Sequence, residues 1–274
     1  RQRQMCIRDR GIPYQNYVST LDHRALFLGQ WGLRPTRGSD GPDYDELVAT
    51  EGEPRLRLWL NEMSTRGVLN DACVVYGYFP AVSEGNDIVI LTEPRPDAPE
   101  RLRFTFPRQQ RPRFLCIADF VQSRARMEQT GQVDVLPFQV VTMGTPIADY
   151  ADEFFAQNDY RNYLETHGLS VQLTEALAEY WHERIRHELK LSDGSSAGSE
   201  DSIDKADYFD LKYRGARFSF GYGACPNLED REKMMELLEP ERAGIVLSEE
   251  YQLHPEQSTD AFVLYHPEAK YFNT

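Results

Sequence analysis

Residues Cys73 to Phe79 read C-V-V-Y-G-Y-F, and Asp87 to Leu91 (D-I-V-I-L) follow across the turn Ser83-Glu84-Gly85-Asn86. Runs of β-branched and aromatic side chains fit a pleated surface. With turn residues between them, the two predict an antiparallel hairpin. Downstream, Arg101 to Phe106 alternates Leu, Phe, Phe against Arg, Arg, Thr, which predicts a half-buried strand. Phe114 to Val121 and Leu136 to Met143 are further apolar runs of strand length. From Ile147 the apolar period becomes 3.6. Ile147 to Gln157, Tyr160 to His167 and Ser170 to Leu189 predict helices. The last has Ser170 as N-cap and Leu173, Leu177, Trp181, Ile185 and Leu189 in one stripe.

Outside that core, Pro13 to Leu28, Asp45 to Thr50 and Pro54 to Ser64 also carry helical spacing. Ser192 to Gly198 is a Ser/Gly-rich loop whose acidity continues to Asp210, a flexible insertion. After Gly215 come a short strand, a Gly-rich turn, a helix from Leu228 to Leu238, and strands at Ile245 to Leu247 and Ala261 to Tyr265. Hairpin-linked strands in one stretch and helices in others predict an α+β single domain with a mostly antiparallel sheet. Arg1 to Arg10 has no apolar period and four Arg against one Asp. It reads as a non-native or disordered terminus, so the domain is placed at residues 11–274, as the C-terminal part of something longer.

With 274 residues and 41% hydrophobic content, the chain is long enough to bury a substantial core. Its formal charge of −14 repels phosphate backbones and anionic lipid, which argues against nucleic acid and membrane partners. No apolar run approaches the roughly 20 residues that span a bilayer. The four Cys, at 6, 73, 116 and 225, form no C-x-x-C pair and read as reduced thiols of a cytoplasmic protein.

The most distinctive string is Arg217-Phe218-Ser219-Phe220-Gly221-Tyr222-Gly223-Ala224-Cys225-Pro226. A strand delivers Arg217, glycines let backbone approach a ligand, and Pro226-Asn227 start a helix whose amides favour negative charge. Guanidinium beside exposed amides suits a carboxylate. On the residues alone, a strand-turn-helix junction with an ordinary surface Arg is the more ordinary reading.

R-x-x-x-G-Y-x-A-C-P, followed by His266-Pro267-Glu268-Ala269-Lys270-Tyr271-Phe272, resembles the C-terminal activation domain of cobalamin-dependent methionine synthase. Asp119-Phe120-Val121 and Glu175-Ala176-Leu177-Ala178-Glu179-Tyr180-Trp181-His182-Glu183-Arg184 support the match, which runs from Gly11 to Asn273. The resemblance implies a bent sheet flanked by helices. It implies S-adenosylmethionine binding that restores methylcobalamin from cob(II)alamin, with an electron from flavodoxin or another reductant. Cobalamin itself is held by a separate cobalamin-binding domain. Arg217 resembles the residue holding the ligand's carboxylate, and Tyr222 the tyrosine facing the corrin. Asp22 and Glu175 resemble two pocket acids, Tyr271 an aromatic wall, and Gly221 belongs to the same binding motif. Read without the resemblance, Glu175 is part of a solvated helix face, Asp22 a helix-end charge and Tyr271 a packed edge residue. The chain departs from the family at Phe272, at Leu211 beside Asp210, and at Phe-Ser-Phe between Arg217 and Gly221.

The implied role needs no catalytic acid, base or nucleophile and no metal. D-x-H-x-x-G, the family's cobalamin-ligand signature, does not occur, so the isolated chain is not expected to make methionine. A stand-alone reactivator docking on a separate corrinoid protein is the alternative; a hydrolase using Ser219 or Cys225 is a remoter one. His182 and His187 are five apart, about 140° around a helix, so they read as charged surface rather than a zinc pair. Cys225 reads as a packing residue. Arg101 to Arg126 holds seven Arg and one acid, either the solvated sides of strands or a docking surface for an acidic partner.

Overall fold

A computed structural model describes residues 7–35, 41–189 and 213–274. Leu211, Asp210 and the Ser192 to Asp210 loop lie outside the described residues, as do Arg1 to Cys6. The fold is α+β, with a mostly antiparallel sheet flanked by helices.

The hairpin is present as β2 (Cys73–Glu84) and β3 (Asp87–Leu91), numbered after β1 (Ile7–Arg10). β4 (Glu100–Thr105), β5 (Asp134–Thr142), β6 (Ala216–Phe218), the small pair β7 (Val246–Leu247) and β8 (Leu253–His254), and β9 (Ser258–Leu264) follow. The main sheet runs β4-β3-β2-β5-β9-β6, with β1 also on β2. Residues Ile7–Arg10, left out of the fold on sequence grounds, thus pair in register with β2, Ile7 opposite Tyr76 and Arg10 opposite Cys73. Free backbone groups on the first half of β2 accept any extended partner, whatever its side-chain pattern.

Both faces of the sheet are covered, which explains why β2 is an unbroken apolar run rather than an alternating one. Val75, Phe79, Phe138, Phe218 and Phe262 bury on one face. Val74, Tyr76, Val141 and Val263 bury on the other, against Leu173, Leu177 and Trp181 of a long helix. That helix, α6 (Tyr160–Glu188), follows α1 (Tyr14–Tyr17), α2 (Tyr44–Leu47), α3 (Glu53–Thr65), α4 (Arg124–Thr130) and α5 (Thr145–Ala156). The last helix is α7 (Asp230–Leu238). Buried Gln139 of β5 donates to the Ala178 carbonyl at 2.9 Å, and Tyr76 and Tyr78 both donate to Glu188. These bonds fix α6 along and across the sheet.

Three expectations are corrected. Tyr160 to Leu189 is one helix, not two, capped by Asp159 instead of Ser170. Gly168 marks a close contact there, since a Cβ would lie 2.8 Å from that of Gln30, and the Ser170 hydroxyl bonds back to the His167 carbonyl. Phe114 to Val121 is not a strand but carries a half-buried 3-10 turn, Ile117–Phe120. Asp119 accepts the Cys116 amide at 2.9 Å and is gripped by Arg108 through both carboxylate oxygens, so polar bonds inside the apolar run curl it. Pro13 to Leu28 breaks at Leu21–Asp22 between a 3-10 turn, Val18–Thr20, and a wide helical turn, Ala25–Gln30.

Candidate functional site

β6 is an edge strand, paired to β9 with Arg217 opposite Val263. Ala216 and Phe218 bury on the phenylalanine face, so Arg217 between them projects to the face covered by α6. There it meets two carboxylates one helical turn apart: Nη2 bonds Glu175 at 3.0 Å and Nε bonds Glu179 at 3.1 Å. The Glu175 side chain is 46% exposed, that of Glu179 only 16%.

The residues after β6 are held by a buried ion pair. Asp260 of β9 accepts the Phe220 amide at 2.9 Å and Arg231 Nε at 2.6 Å, while Arg231 also donates to the Phe220 and Tyr251 carbonyls. The chain then turns at Gly221, φ +92°, where a Cβ would stand 2.6 Å from Leu228. Only glycine tolerates both. The Gly221 amide bonds the Cys225 carbonyl, and the Cys225 amide bonds the Tyr222 carbonyl, closing a tight loop. This loop leaves Tyr222 61% exposed. Pro226-Asn227 do not start a helix, because the Asn227 side chain accepts the Glu229 amide and α7 begins only at Asp230. Pro226-Asn227 therefore offer no helix N-terminus to Arg217.

Arg217, Glu175 and Glu179 form one side of a cleft of about 320 Å³, completed by Tyr213, Tyr222 and Tyr271. Tyr271 stacks on Phe218 at 5.8 Å and remains 48% exposed. Lys270 donates to the Tyr213 carbonyl at 2.7 Å, tying the C-terminal segment to the stretch before β6.

The α6 surface behind this cleft is not solvated, contrary to the reading of Glu175, Glu179, His182 and Arg186 as a polar face. His182 has no exposed surface and Arg186 has 2%. His182 Nδ1 lies 3.2 Å from Glu179, its ring meets Tyr213 edge-on at 5.2 Å, and Arg186 lies over the Tyr213 ring at 4.2 Å. Burial, aided by the Arg186 charge, pushes the His182 imidazole down to about 4, so it is neutral at pH 7. Burial opposes ionisation of Glu179, but His182, Arg217 and Arg186 outweigh it and hold the carboxyl well below its usual range. Burial also works against the Arg217 charge, and Glu179 and Glu175 more than restore it.

A pH dependence follows. The unfolded chain protonates His182 near 6.5 and the folded chain only near 4, so stability present above 6.5 is lost as pH falls between those values. Denaturant unfolding at several pH values is expected to show that slope. His182→Gln removes a share of it, up to about 3 kcal/mol.

Of the residues expected at the site, Glu175, Arg217, Tyr222 and Tyr271 come together. Gly221 shapes the loop without lining the cleft. Asp22 does not line it either: it is exposed and accepts the Ala25 amide at 2.9 Å. Its neighbour Thr20 donates to the Ala176 carbonyl, which keeps this turn beside Glu175. Sequence reading missed Glu179 as a site residue, although its spacing of four from Glu175 puts both on one face. It also missed Tyr213. Phe272, the aromatic without a hydroxyl, is buried against Phe218 and Phe120.

Cys225 is buried and its thiol is pushed up to about 12 by burial and Asp260, so it packs rather than reacts. The Ser219 hydroxyl is spent on the Asp260 carbonyl at 2.7 Å. The Arg101 to Arg126 stretch is not a uniform basic face. Arg103 pairs with Glu84, Asp87 and Glu100, Arg108 with Asp119, and Arg124 with Glu84.

Over 264 residues, 96% of its length, the chain is 70% identical to methionine synthase of Mycobacterium tuberculosis and 67% identical to that of Mycobacterium leprae. It spans 22% of the length of each of these relatives. The crystal structure of the MetH reactivation domain bound to AdoHcy aligns with a TM-score of 0.79 at 26% identity. That alignment covers 99% of this chain and 82% of that one. The family described as "Vitamin B12 dependent methionine synthase, activation domain" matches residues 57–274. The chain belongs to this activation-domain family of vitamin B12-dependent methionine synthases.

Proposed function

We propose that residues 11–274 bind S-adenosylmethionine in the Arg217 cleft and present its sulfonium methyl to cobalamin held by another domain of a longer methionine synthase. The observation that carries this reading is Arg217, anchored by the largely covered Glu179 at an opening shared by half-exposed Glu175 and exposed Tyr222 and Tyr271. The amino-acid end of the ligand is a zwitterion, and the cleft offers the complementary pair. Among the described residues Arg217 Nη1 has no partner, so the Nη1–Nη2 edge can take the carboxylate through two parallel bonds. Glu175, half in solvent, leaves Arg217 to receive the ammonium. Tyr271 and Tyr222 wall the mouth where the sulfonium and the corrin meet, Gly221 sets the turn that presents Tyr222, and Asp22, outside the cleft itself, adds an acid on the turn held beside α6. A volume of about 320 Å³ lies at the lower end of the range for small-molecule sites. The AdoHcy-bound state of the related MetH domain supports the same ligand class.

Cobalamin, docked by its own domain, supplies the reduced cobalt that accepts the methyl group. This chain contributes placement and charge, with no acid–base or covalent residue of its own. The electron comes from flavodoxin or another reductant. Arg113 and Arg126 are the cations for its docking, being without an ion pair among the described residues. Making methionine belongs to the longer protein, which we place in the cytoplasm. The free thiols of Cys73, Cys116 and Cys225 agree with that, and no described helix is long and apolar enough to cross a membrane.

Calorimetric titration of the full 274-residue chain with S-adenosylmethionine and with S-adenosylhomocysteine tests the reading. Saturable one-site heat is expected for both. Its absence up to about 1 mM ligand, a binding energy weaker than about 4 kcal/mol, overturns it.

A further inference from the structure

The two carboxylates on Arg217 are not equivalent, and we propose that Glu179, steadied by His182, is a positioning residue. It holds the guanidinium side-on through Nε so that the Nη1–Nη2 edge faces the ligand's carboxylate. The inference rests on the binding reading above and assigns Glu179 and His182 a role exerted through Arg217.

Geometry separates the roles. Arg217 has a single Nε–H, and a carboxylate on it sets the plane of the guanidinium. Glu179 takes that position at 3.1 Å and is nearly buried, whereas Glu175 sits on Nη2, half exposed, and can leave. The second oxygen of Glu179 is 3.2 Å from His182 Nδ1, so the carboxylate spans an imidazole and a guanidinium. His182 cannot swing away: its ring has no exposed surface and is walled by Tyr213, on whose face Arg186 lies. Its Nε2 is buried without a hydrogen-bond partner. Here Nδ1–H donates to Glu179, consistent with the neutral ring that burial produces. The groups facing this unit are Glu175 and Arg186 from α6, Arg217 from β6, and Tyr213.

The test compares S-adenosylhomocysteine with its decarboxylated analogue, which keeps ammonium, thioether and nucleoside, on the full chain and two variants. In Glu179→Gln, Arg217 keeps Glu175 as counter-charge but loses its fixed plane. Affinity for S-adenosylhomocysteine is expected to fall about 10- to 30-fold, and that for the analogue less than about threefold. A folded Glu179→Gln that binds S-adenosylhomocysteine as tightly as wild type overturns the proposal. So does one that loses both ligands equally, since a merely structural role weakens both together. Should Glu179→Gln fail to fold, His182→Gln carries the same comparison. It is expected to lose discrimination in the same direction by about threefold or more, and unchanged discrimination there overturns the proposal. Failure of the wild type to bind S-adenosylhomocysteine sinks the binding reading itself and is seen before any variant is made.

Discussion

Arg231→Met is expected to lower the stability of the chain by about 3–5 kcal/mol, read as a drop in the denaturant midpoint with unchanged slope. Asp260 has no exposed surface, and Arg231 is the cation that compensates it at 2.6 Å. The same guanidinium satisfies the Phe220 and Tyr251 carbonyls, so a methionine of similar length leaves a buried carboxylate and two carbonyls without their donor. The sign of its pH dependence is fixed by Asp260. Burial already lifts this carboxyl above its ordinary value, while Arg231 and the Phe220 amide hold the rise back. Without Arg231 it rises further, and the folded variant keeps a proton that the unfolded chain releases. Both folded forms keep the proton just above the ordinary carboxylate range, so the penalty relative to wild type grows only as pH passes the wild type's own raised value and approaches the variant's higher one. A second change, Asp260→Asn, is expected to recover part of the loss, because it removes the stranded charge. Equal stability of wild type and Arg231→Met at pH 7 would show that the pair does not hold the Phe220 to Cys225 loop.

Arg217→Met has the largest expected effect on binding. Two charge-assisted hydrogen bonds to a carboxylate contribute about 1.5–3 kcal/mol, so affinity for S-adenosylhomocysteine is expected to fall roughly 100-fold at the upper end. Arg217→Lys is expected to recover little. An ammonium is a point charge and cannot offer one edge to Glu179 and another to a ligand. The change also strands Glu179 beside a neutral imidazole. Its carboxyl, held far down in the wild type partly by Arg217, then rises, with His182 and Arg186 left to oppose burial. Titrations must accordingly be run where circular dichroism shows the variant folded. Wild-type affinity in folded Arg217→Met would remove Arg217 from the binding reading.

Much of the architecture is legible locally. The β2–β3 hairpin is written by two apolar runs and a Gly-Asn turn, and α5 and α6 by their 3.6 period. The misread segments share one cause. Phe114 to Val121 has the composition of a strand, yet Asp119 inside it bonds Cys116 three residues back and Arg108 eleven residues away. Gly168 and Ser170 have the composition of a helix boundary, yet the glycine serves contact with Gln30. In each case a bond or close approach made elsewhere overrides local preference. Charge was misread in the same way: the seven arginines of Arg101 to Arg126 look unbalanced until the fold brings Glu84, Asp87 and Glu100 to Arg103.

What the sequence by itself determined was the kind of fold and the string that carries the site. Apolar period and turn chemistry act between neighbours, and the residues of Arg217 through Pro226 by themselves allow either ligand approach or a plain junction, the first gaining weight only from the family resemblance. Tertiary structure alone decided which charges gather around Arg217. Glu175, Glu179 and His182 have the spacing of an ordinary wet helix face. Only the arrival of β6, some 40 residues later, sets Arg217 between Glu175 and Glu179, leaving Glu175 half in solvent while Glu179 and His182 lie beneath. Burial is a property of what packs on top of a residue, and an ion pair that is nearly worthless in water becomes position-defining once water is excluded.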